Sequence, residues 1–236
     1  MKSLTITASL LLTAGACGMW AADQPKASER LNDAASVLSD VMATPDKGIP
    51  QDLLAKAECV VIIPSMKKAA FVVGGEYGRG FAECRREGGM GWGAPAAVRM
   101  EGGSVGFQIG GSATDLILLV MNRKGMDKLM GDKFTLGADA SLAAGPVGRT
   151  ANADTDVKMT AEILAWSRSK GLFAGVSLNG ATLRPDPDRN AELYGHKMNN
   201  RDVLMGTMTP PPAAEPLIHV LDKYSMRSNG ADRSKH

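Results

Sequence analysis

Basic side chains near the ends of predicted strands are the residues of this chain whose types and spacing best suit a binding chemistry. They come mostly as pairs, at Lys67-Lys68, Arg79, Arg85-Arg86 and Arg123-Lys124. If several strand ends converge, these charges form one basic rim that attracts anionic lipid head groups. Ordinary surface charge on a solvated face is the alternative interpretation. The candidate lipid-binding residues are Lys67, Lys68, Arg85 and Arg86.

Residues suited to catalysis are sparse. The three histidines, His196, His219 and His236, all lie in the last fifth of the chain. A hydrolase needs a nucleophile and a base within reach of each other, and no Gly-x-Ser-x-Gly elbow is present. The sequence therefore predicts no catalytic residue, no metal site and no cofactor.

Two further segments have the composition of ligand-binding loops. The glycines of segment 74–80 stand in the reverse order of a dinucleotide fingerprint, and a strand follows them instead of a helix. We expect a tight hairpin there. Asp154 and Asp156 match no complete calcium motif, and we expect a solvated loop.

The chain has three cysteines: Cys17 lies near its start, and Cys59 and Cys84 lie in a region of predicted strands. Cys59 opens one strand and Cys84 closes another, so an oxidising compartment would allow them to bond. No Cys-x-x-Cys motif and no nearby histidine supports a redox or metal site. A structural disulfide and two buried free thiols both remain open.

The first 22 residues are typical of an export signal. Lys2 precedes an apolar stretch, residues 4–14, that has the length of a signal core, ~7–15 residues. It is too short for a membrane-spanning helix, which needs ~20 residues. Small residues then lead directly to Cys17, which resembles a bacterial lipobox and predicts lipidation of that cysteine. The alternative is cleavage near Ala16 or Ala22, which gives a soluble periplasmic product.

The hydrophobic pattern predicts an α+β fold: a twisted, antiparallel, glycine-rich sheet or partial barrel with packed helices. Apolar residues at helical spacing predict a helix over 28–42 and a short one after Pro50. Six short strands separated by glycine-rich turns follow, at 59–63, 69–74, 80–85, 96–100, 104–109 and 115–121. In such a meander alternate turns lie at opposite ends of the sheet. Lys67-Lys68 and Arg85-Arg86 are therefore expected to share one edge.

The rest of the chain predicts shorter elements. Helices are expected at 122–130, 188–194 and 215–224, with a strand pair at 157–166 and 172–176. The run 116–121 shows no alternation and predicts a strand buried on both faces. Three prolines at 210–212 indicate a stiff connector, and 225–236 is expected to be disordered. The balance of 27 basic and 25 acidic residues predicts no nucleic-acid partner.

Three segments together resemble the SYLF domain, a family of lipid- and actin-associated modules. They are Thr114–Met121, Gly145–Arg149 and Ser167–Leu178, within a resemblance that runs from about Leu31 to Tyr194. The resemblance implies a non-enzymatic module and is strongest to exported bacterial members. Eukaryotic members bind phosphoinositides, and this lipid contact depends on a basic, amphipathic N-terminal segment; some members also bind actin filaments. The corresponding segment here, 28–33, has no lysine cluster, so the resemblance implies general anionic-lipid association.

These observations lead to one functional prediction and one alternative. We predict a signal peptide at 1–22, a SYLF-like domain at 28–209 and a connector, short helix and tail at 210–236. The predicted function is lipid binding at a bacterial envelope membrane, by a periplasmic or membrane-anchored lipoprotein whose partner is an anionic lipid surface. The alternative is an envelope structural or protein-interaction module without a lipid ligand. A basic rim would favour lipid, and an uncharged apolar groove would favour a protein partner.

Overall fold

The computed structural model describes residues 26–44, 48–86, 88, 91–146, 161–169, 172–175 and 178–227. Within these ranges, 69–73, 104–111 and 172–175 are described by their backbone. The predictions for the signal peptide, Cys17, Asp154 and Asp156 lie outside the described residues. So does the last part of the predicted tail, from residue 228.

Two very long strands form the centre of the fold. Strand β1 spans Cys59–Cys84 and strand β2 spans Ala96–Val120. They pair antiparallel from Cys59 opposite Val120 to Ala82 opposite Ala96. The prediction of six short strands is wrong here, because the glycines taken as turns lie inside continuous strands. Residues 74–80, predicted as a hairpin, belong to β1 throughout.

The β1–β2 ribbon curls back on itself. A straight strand of 26 residues would span roughly 85 Å, yet the Cα atoms of its end residues Cys59 and Cys84 lie 4.0 Å apart. Register shifts between Ile63 and Met66 and between Ala70 and Val72 bend the ribbon. Such irregularities increase twist without ending the ladder, so the chain needs no turn at Lys67-Lys68.

The curled strand crosses itself at Gly80. A Cβ atom on this residue would lie 1.9 Å from the carbonyl oxygen of Ile62. Glycine therefore permits backbone-to-backbone contact between the two ends of β1, one of the uses of glycine within strands.

Five shorter strands complete a seven-stranded sheet in the described residues. The elements are β3 (Phe134–Thr135), β4 (Leu142–Ala144), β5 (Ile163–Ser169), β6 (Leu172–Gly175) and β7 (Thr182–Pro185). Strand β7 pairs with the start of β2 and β5 with its end. The β4–β5 pair is parallel, whereas the predicted β5–β6 pair is antiparallel. The prediction of an α+β fold, with a twisted sheet or partial barrel and packed helices, is confirmed, and the parallel β4–β5 pair is the one departure from antiparallel pairing among the described strands.

Six helices in the described residues surround the sheet. They are α1 (Ala27–Met42), α2 (Gln51–Lys56), α3 (Arg123–Leu129), α4 (Pro187–Tyr194), α5 (Asn200–Met205) and α6 (Glu215–Tyr224). All except α5 were predicted. Asn199, whose side chain accepts a hydrogen bond from the Asp202 N–H, is the capping signal that marks α5. No described helix has both the length and the apolar character needed to cross a bilayer.

The core has two parts, one on each face of the long strands. Leu116, Leu118 and Val120 point into the curl, and Ile117 and Leu119 point to the other face, where α1 and α6 pack. The prediction that this run is buried on both faces is confirmed. Leu217 and Leu221 of α6 lie in the same core as the buried residues of α1.

The chain remains ordered beyond α6. Ser225 is fully buried, and its carbonyl accepts a hydrogen bond from Arg85 Nη2 at 2.8 Å. Arg227 donates to the carbonyls of Ala55 and Ala57, near the C-terminal end of α2. Cationic donors satisfy the free carbonyls of a helix end. The prediction of disorder from residue 225 is therefore wrong for residues 225–227.

Candidate functional site

The structure separates the two basic pairs that the sequence placed together. Lys67 and Lys68 lie within β1 opposite Ala113 and Ser112, and Lys68 Nζ is 3.0 Å from the Glu76 carboxylate. No turn exists at this point, so the predicted shared edge with Arg85-Arg86 is wrong. Arg85 and Arg86 line a cleft whose lining does not include the two lysines.

This arginine–methionine cleft is the candidate site. It has a volume of about 540 Å³. Its walls come from both ends of β1, from α3 and from the segment after α5, and consist of Glu58, Arg85, Arg86, Gly88, Gly93, Arg123, Met126 and residues 204–210. The structure thus places Arg123 in the same cleft as Arg85 and Arg86. A basic rim formed by converging strand ends requires such a grouping.

Arg85 is a structural residue of the cleft. Its side chain is buried and stacks on Trp92, with the guanidinium carbon 4.1 Å from the ring centroid. Nη2 donates to the carbonyls of Leu54, Ala55 and Ser225. Burial, and then the nearby Arg227, lower the pKa of Arg85 to about 10, so it stays charged at neutral pH. Its donors are directed at the protein, and Arg85 therefore organises the wall instead of presenting a free binding group.

Arg86 and Arg123 carry the available positive charge of the cleft. Both are exposed. Arg86 Nε donates to the Trp92 carbonyl at 2.8 Å, which orients the guanidinium and leaves both Nη atoms without a bond to the described residues. The Arg123 side chain makes no hydrogen bond or ion pair within the described part of the chain. Two such charges in one concavity favour an anion, since a cleft concentrates the field of its lining charges.

A single carboxylate lies in the described lining, and it already has a partner. Glu58 Oε1 is 3.2 Å from Arg227 Nη2, so its negative charge is compensated from outside the cleft. The described lining contains no histidine or cysteine. No group of three or more His, Cys, Asp or Glu side chains placed to hold a metal ion occurs among the described residues.

Methionines give the cleft an apolar side. Met126 is buried, Met208 is half-buried, and Met205 is 40% exposed. Methionine adapts its shape to a bound molecule because its side chain is unbranched and flexible. These methionines were not predicted from the sequence. The spacing of Met205 and Met208 on either side of Gly206-Thr207 was the signal that could have drawn attention to them.

A buried carboxyl group with a strongly shifted pKa, that of Glu83, lies outside the cleft lining. Glu83 is 1% exposed, and neither of its carboxylate oxygens has a hydrogen-bond partner among the described residues. Burial, and secondarily the Asp222 charge on α6, raise the pKa of Glu83 well above its ordinary value. Burial and the proximity of Glu83 also raise the pKa of Tyr194, whose hydroxyl donates to the Pro95 carbonyl at 2.6 Å.

Glu83→Gln is expected to flatten the pH dependence of stability. An unfolded-chain glutamate ionises near pH 4.3, whereas folded Glu83 holds its proton to higher pH. The folded state then binds more protons, and the free energy of unfolding falls above about pH 4.3 by up to about 1.4 kcal/mol per pH unit. Urea unfolding of parent and variant from pH 4 to 8 measures this difference. Asp222→Asn is the control for the smaller contribution, the charge of Asp222. If the free energies of unfolding of Glu83→Gln and of the parent change in parallel with pH, the expectation is contradicted.

Comparison with known proteins identifies the family. Residues 101–224 match the family Ysc84, described as "Las17-binding protein actin regulator". The chain belongs to the Ysc84 family. The resemblance to the SYLF domain is thereby confirmed. The matched region includes most of β2 and all of α6, and it contains the two walls of the cleft that come from α3 and from residues 204–210.

Relatives of this Ysc84 protein come from yeast and vertebrates. "LAS seventeen-binding protein 3" of Saccharomyces cerevisiae is 35% identical over 192 residues, covering 78% of this chain and 41% of the relative. "SH3 domain-containing YSC84-like protein 1" of Homo sapiens is 34% identical over 182 residues, covering 77% and 53%. The Xenopus laevis protein of the same name is 33% identical over 183 residues, covering 77% and 54%. The chain spans about half the length of these relatives, whose names describe binding or domain content and not an enzymatic activity.

Proposed function

We propose that this Ysc84 protein is a non-enzymatic module that binds anionic lipid at a membrane surface. The observation that carries the proposal is the position of Arg86 and Arg123 in one concave site, as two exposed cations without an ion-pair partner among the described residues. Exposed Met205 lies in the same lining. Positive charge beside apolar surface suits the boundary between lipid head groups and acyl chains.

The proposed site of action is the bacterial envelope. Support comes from the sequence pattern of residues 1–22 and from Cys17, which follows small residues as in a lipobox. The proposal includes attachment of lipid at Cys17, which would hold the domain close to the membrane that the cleft binds. Proximity of this kind raises the effective concentration of the second contact.

Replacing both arginines is expected to weaken binding to anionic vesicles. Each basic residue near an anionic surface contributes about 1 kcal/mol, so Arg86→Ala with Arg123→Ala should cost about 2 kcal/mol, or roughly 30-fold in apparent affinity. Flotation with phosphatidylglycerol-containing vesicles measures the change at low salt. The parent and all variants in this experiment carry Cys17→Ser, so that attached lipid does not float the protein by itself.

The matched control is Lys67→Ala with Lys68→Ala, which removes the same charge outside the cleft lining. It is expected to change flotation much less than the arginine pair. Equal losses in both double variants would show attraction by overall charge and contradict a lipid site at the cleft. If the parent fails to float even at low salt, where surface attraction is strongest, the proposed function is wrong.

A protein-interaction module is the second candidate function. The family description and the name of the yeast relative both state binding to a protein. For this chain we propose an envelope protein as the corresponding partner. Co-purification of a protein that survives removal of lipid, and that is lost in the Arg86/Arg123 double variant, would favour this candidate.

A further inference from the structure

The arginine–methionine cleft has two chemically different sides within one concavity. We propose that it binds a single molecule of an anionic amphiphile, with a phosphate group held by Arg86 and Arg123 and an acyl chain against Met126, Met205 and Met208. This inference rests on the proposed function and adds to it a discrete site, a stoichiometry and a ligand class. Membrane association through surface charge alone would require none of these.

The polar side fits a phosphate group. The guanidinium of Arg86 is held by the hydrogen bond from Nε to the Trp92 carbonyl at 2.8 Å, and Trp92 is itself fully buried. A fixed planar guanidinium presents its two remaining nitrogens as a fork, the geometry that binds a phosphate in bidentate fashion. Arg123 supplies a second cation in the same lining.

The negative charge of Glu58 in the described lining does not prevent binding of a phosphate group. Glu58 is bonded to Arg227, which also donates to the carbonyls of Ala55, Lys56 and Ala57. Arg227 therefore holds Glu58 from outside the cleft. The described lining residues carry a net positive charge, since they include three arginines and one compensated carboxylate.

The apolar side fits a hydrocarbon chain. Met205 is one of three large hydrophobic residues exposed in the described structure, and the only one of them in this lining. Buried Met126 and Leu204 continue the apolar surface inward. A chain that lies on this surface removes Met205 from water, which an inorganic anion does not do.

The size of the cleft limits the occupant to one molecule. Its volume of about 540 Å³ falls within the range of small-molecule sites, roughly 300–1,000 Å³. A single head group with the first part of its chain is an occupant of that size, whereas a flat membrane face is not. An acidic peptide could bind to the same arginines. Competition between such a peptide and the amphiphile distinguishes the two ligand classes.

The test uses a soluble ligand instead of a membrane. The Cys17→Ser chain is titrated with dihexanoyl phosphatidic acid below its micelle concentration, and binding is followed by calorimetry and native mass spectrometry. We expect one ligand per chain. We expect at least tenfold weaker binding of inorganic phosphate, which lacks the chain, and of dihexanoyl glycerol, which lacks the charge.

Two matched pairs of variants locate the ligand. Arg86→Ala should weaken binding of the amphiphile about tenfold, whereas Arg201→Ala, an exposed arginine outside the lining, should leave it unchanged. Met205→Ser should weaken binding of the amphiphile severalfold and leave that of phosphate unchanged. Met226→Ser, which alters a residue that is 79% exposed and outside the lining, should affect neither.

The outcomes separate this inference from the proposed function. Flotation without one-to-one binding of the soluble amphiphile overturns the discrete site and leaves membrane binding standing. Equal affinity for phosphate and amphiphile overturns the acyl-chain contact, and insensitivity to Arg86→Ala overturns the location. Competition by an acidic peptide that binds more tightly than the amphiphile overturns the ligand class. Absence of both flotation and soluble binding removes the proposed function as well.

Discussion

Gly80→Ala is expected to destabilise the protein by about 3 kcal/mol or more, at the upper end of the usual cost of overpacking. The added Cβ would lie 1.9 Å from the Ile62 carbonyl oxygen and 2.8 Å from the Ile63 Cα. Both neighbours are backbone atoms, so no side-chain rotation relieves the contact. The two ends of β1 must then move apart, and the curl that forms the sheet opens.

The matched control is Gly103→Ala, in the partner strand of the same ribbon. A Cβ at that position meets no atom within 4 Å, so the change should stay within about 0.5 kcal/mol. Urea unfolding followed by tryptophan fluorescence gives both free energies. Equal transition midpoints for the two variants would contradict the self-crossing of β1 at Gly80.

Removal of the cysteine pair is expected to have the second large effect on the free energy of unfolding. The structure joins Cys59 and Cys84 by a disulfide, across a sequence separation of 25 residues. In the chain-entropy description a loop of this length contributes about 3.5 kcal/mol by restricting the unfolded chain. Cys59→Ala with Cys84→Ala should lower the free energy of unfolding by about that amount. A reductant should lower the stability of the parent to the same level and leave that of the double variant unchanged.

The same pair is expected to affect the cleft. Glu58 precedes Cys59 and Arg85 follows Cys84, and the Arg85 N–H donates to the Glu58 carbonyl at 2.8 Å. The disulfide therefore holds two walls of the site together, and its loss should weaken binding of the soluble amphiphile. Non-reducing peptide mapping tests the bond directly, because alkylation of both thiols in the native protein would show that it does not form.

Several features follow from local sequence. The apolar spacing of 28–42 and 215–224 predicted helices α1 and α6, since a period near 3.6 buries one face of a helix. The unbroken apolar run 116–121 predicted a strand covered on both faces. The motifs of the SYLF domain indicated the family, which the match over 101–224 confirms. Each of these signals lies within a few consecutive residues, so a sequence shows it directly.

The curl of the ribbon and the cleft depend on contacts between distant residues. Glycine permits a tight turn and a close crossing of two backbones equally well, so segment 74–80 could not by itself distinguish a hairpin from a bend. Arg85 and Arg86 are neighbours with the same chemistry, yet Arg85 is buried against Trp92 and Arg86 is exposed in the cleft. Successive side chains of an extended chain point to opposite faces, and only packing decides which face is covered. Arg123 and Met205 lie in the same cleft because the sheet curls. No local sequence pattern around either residue predicts that curl.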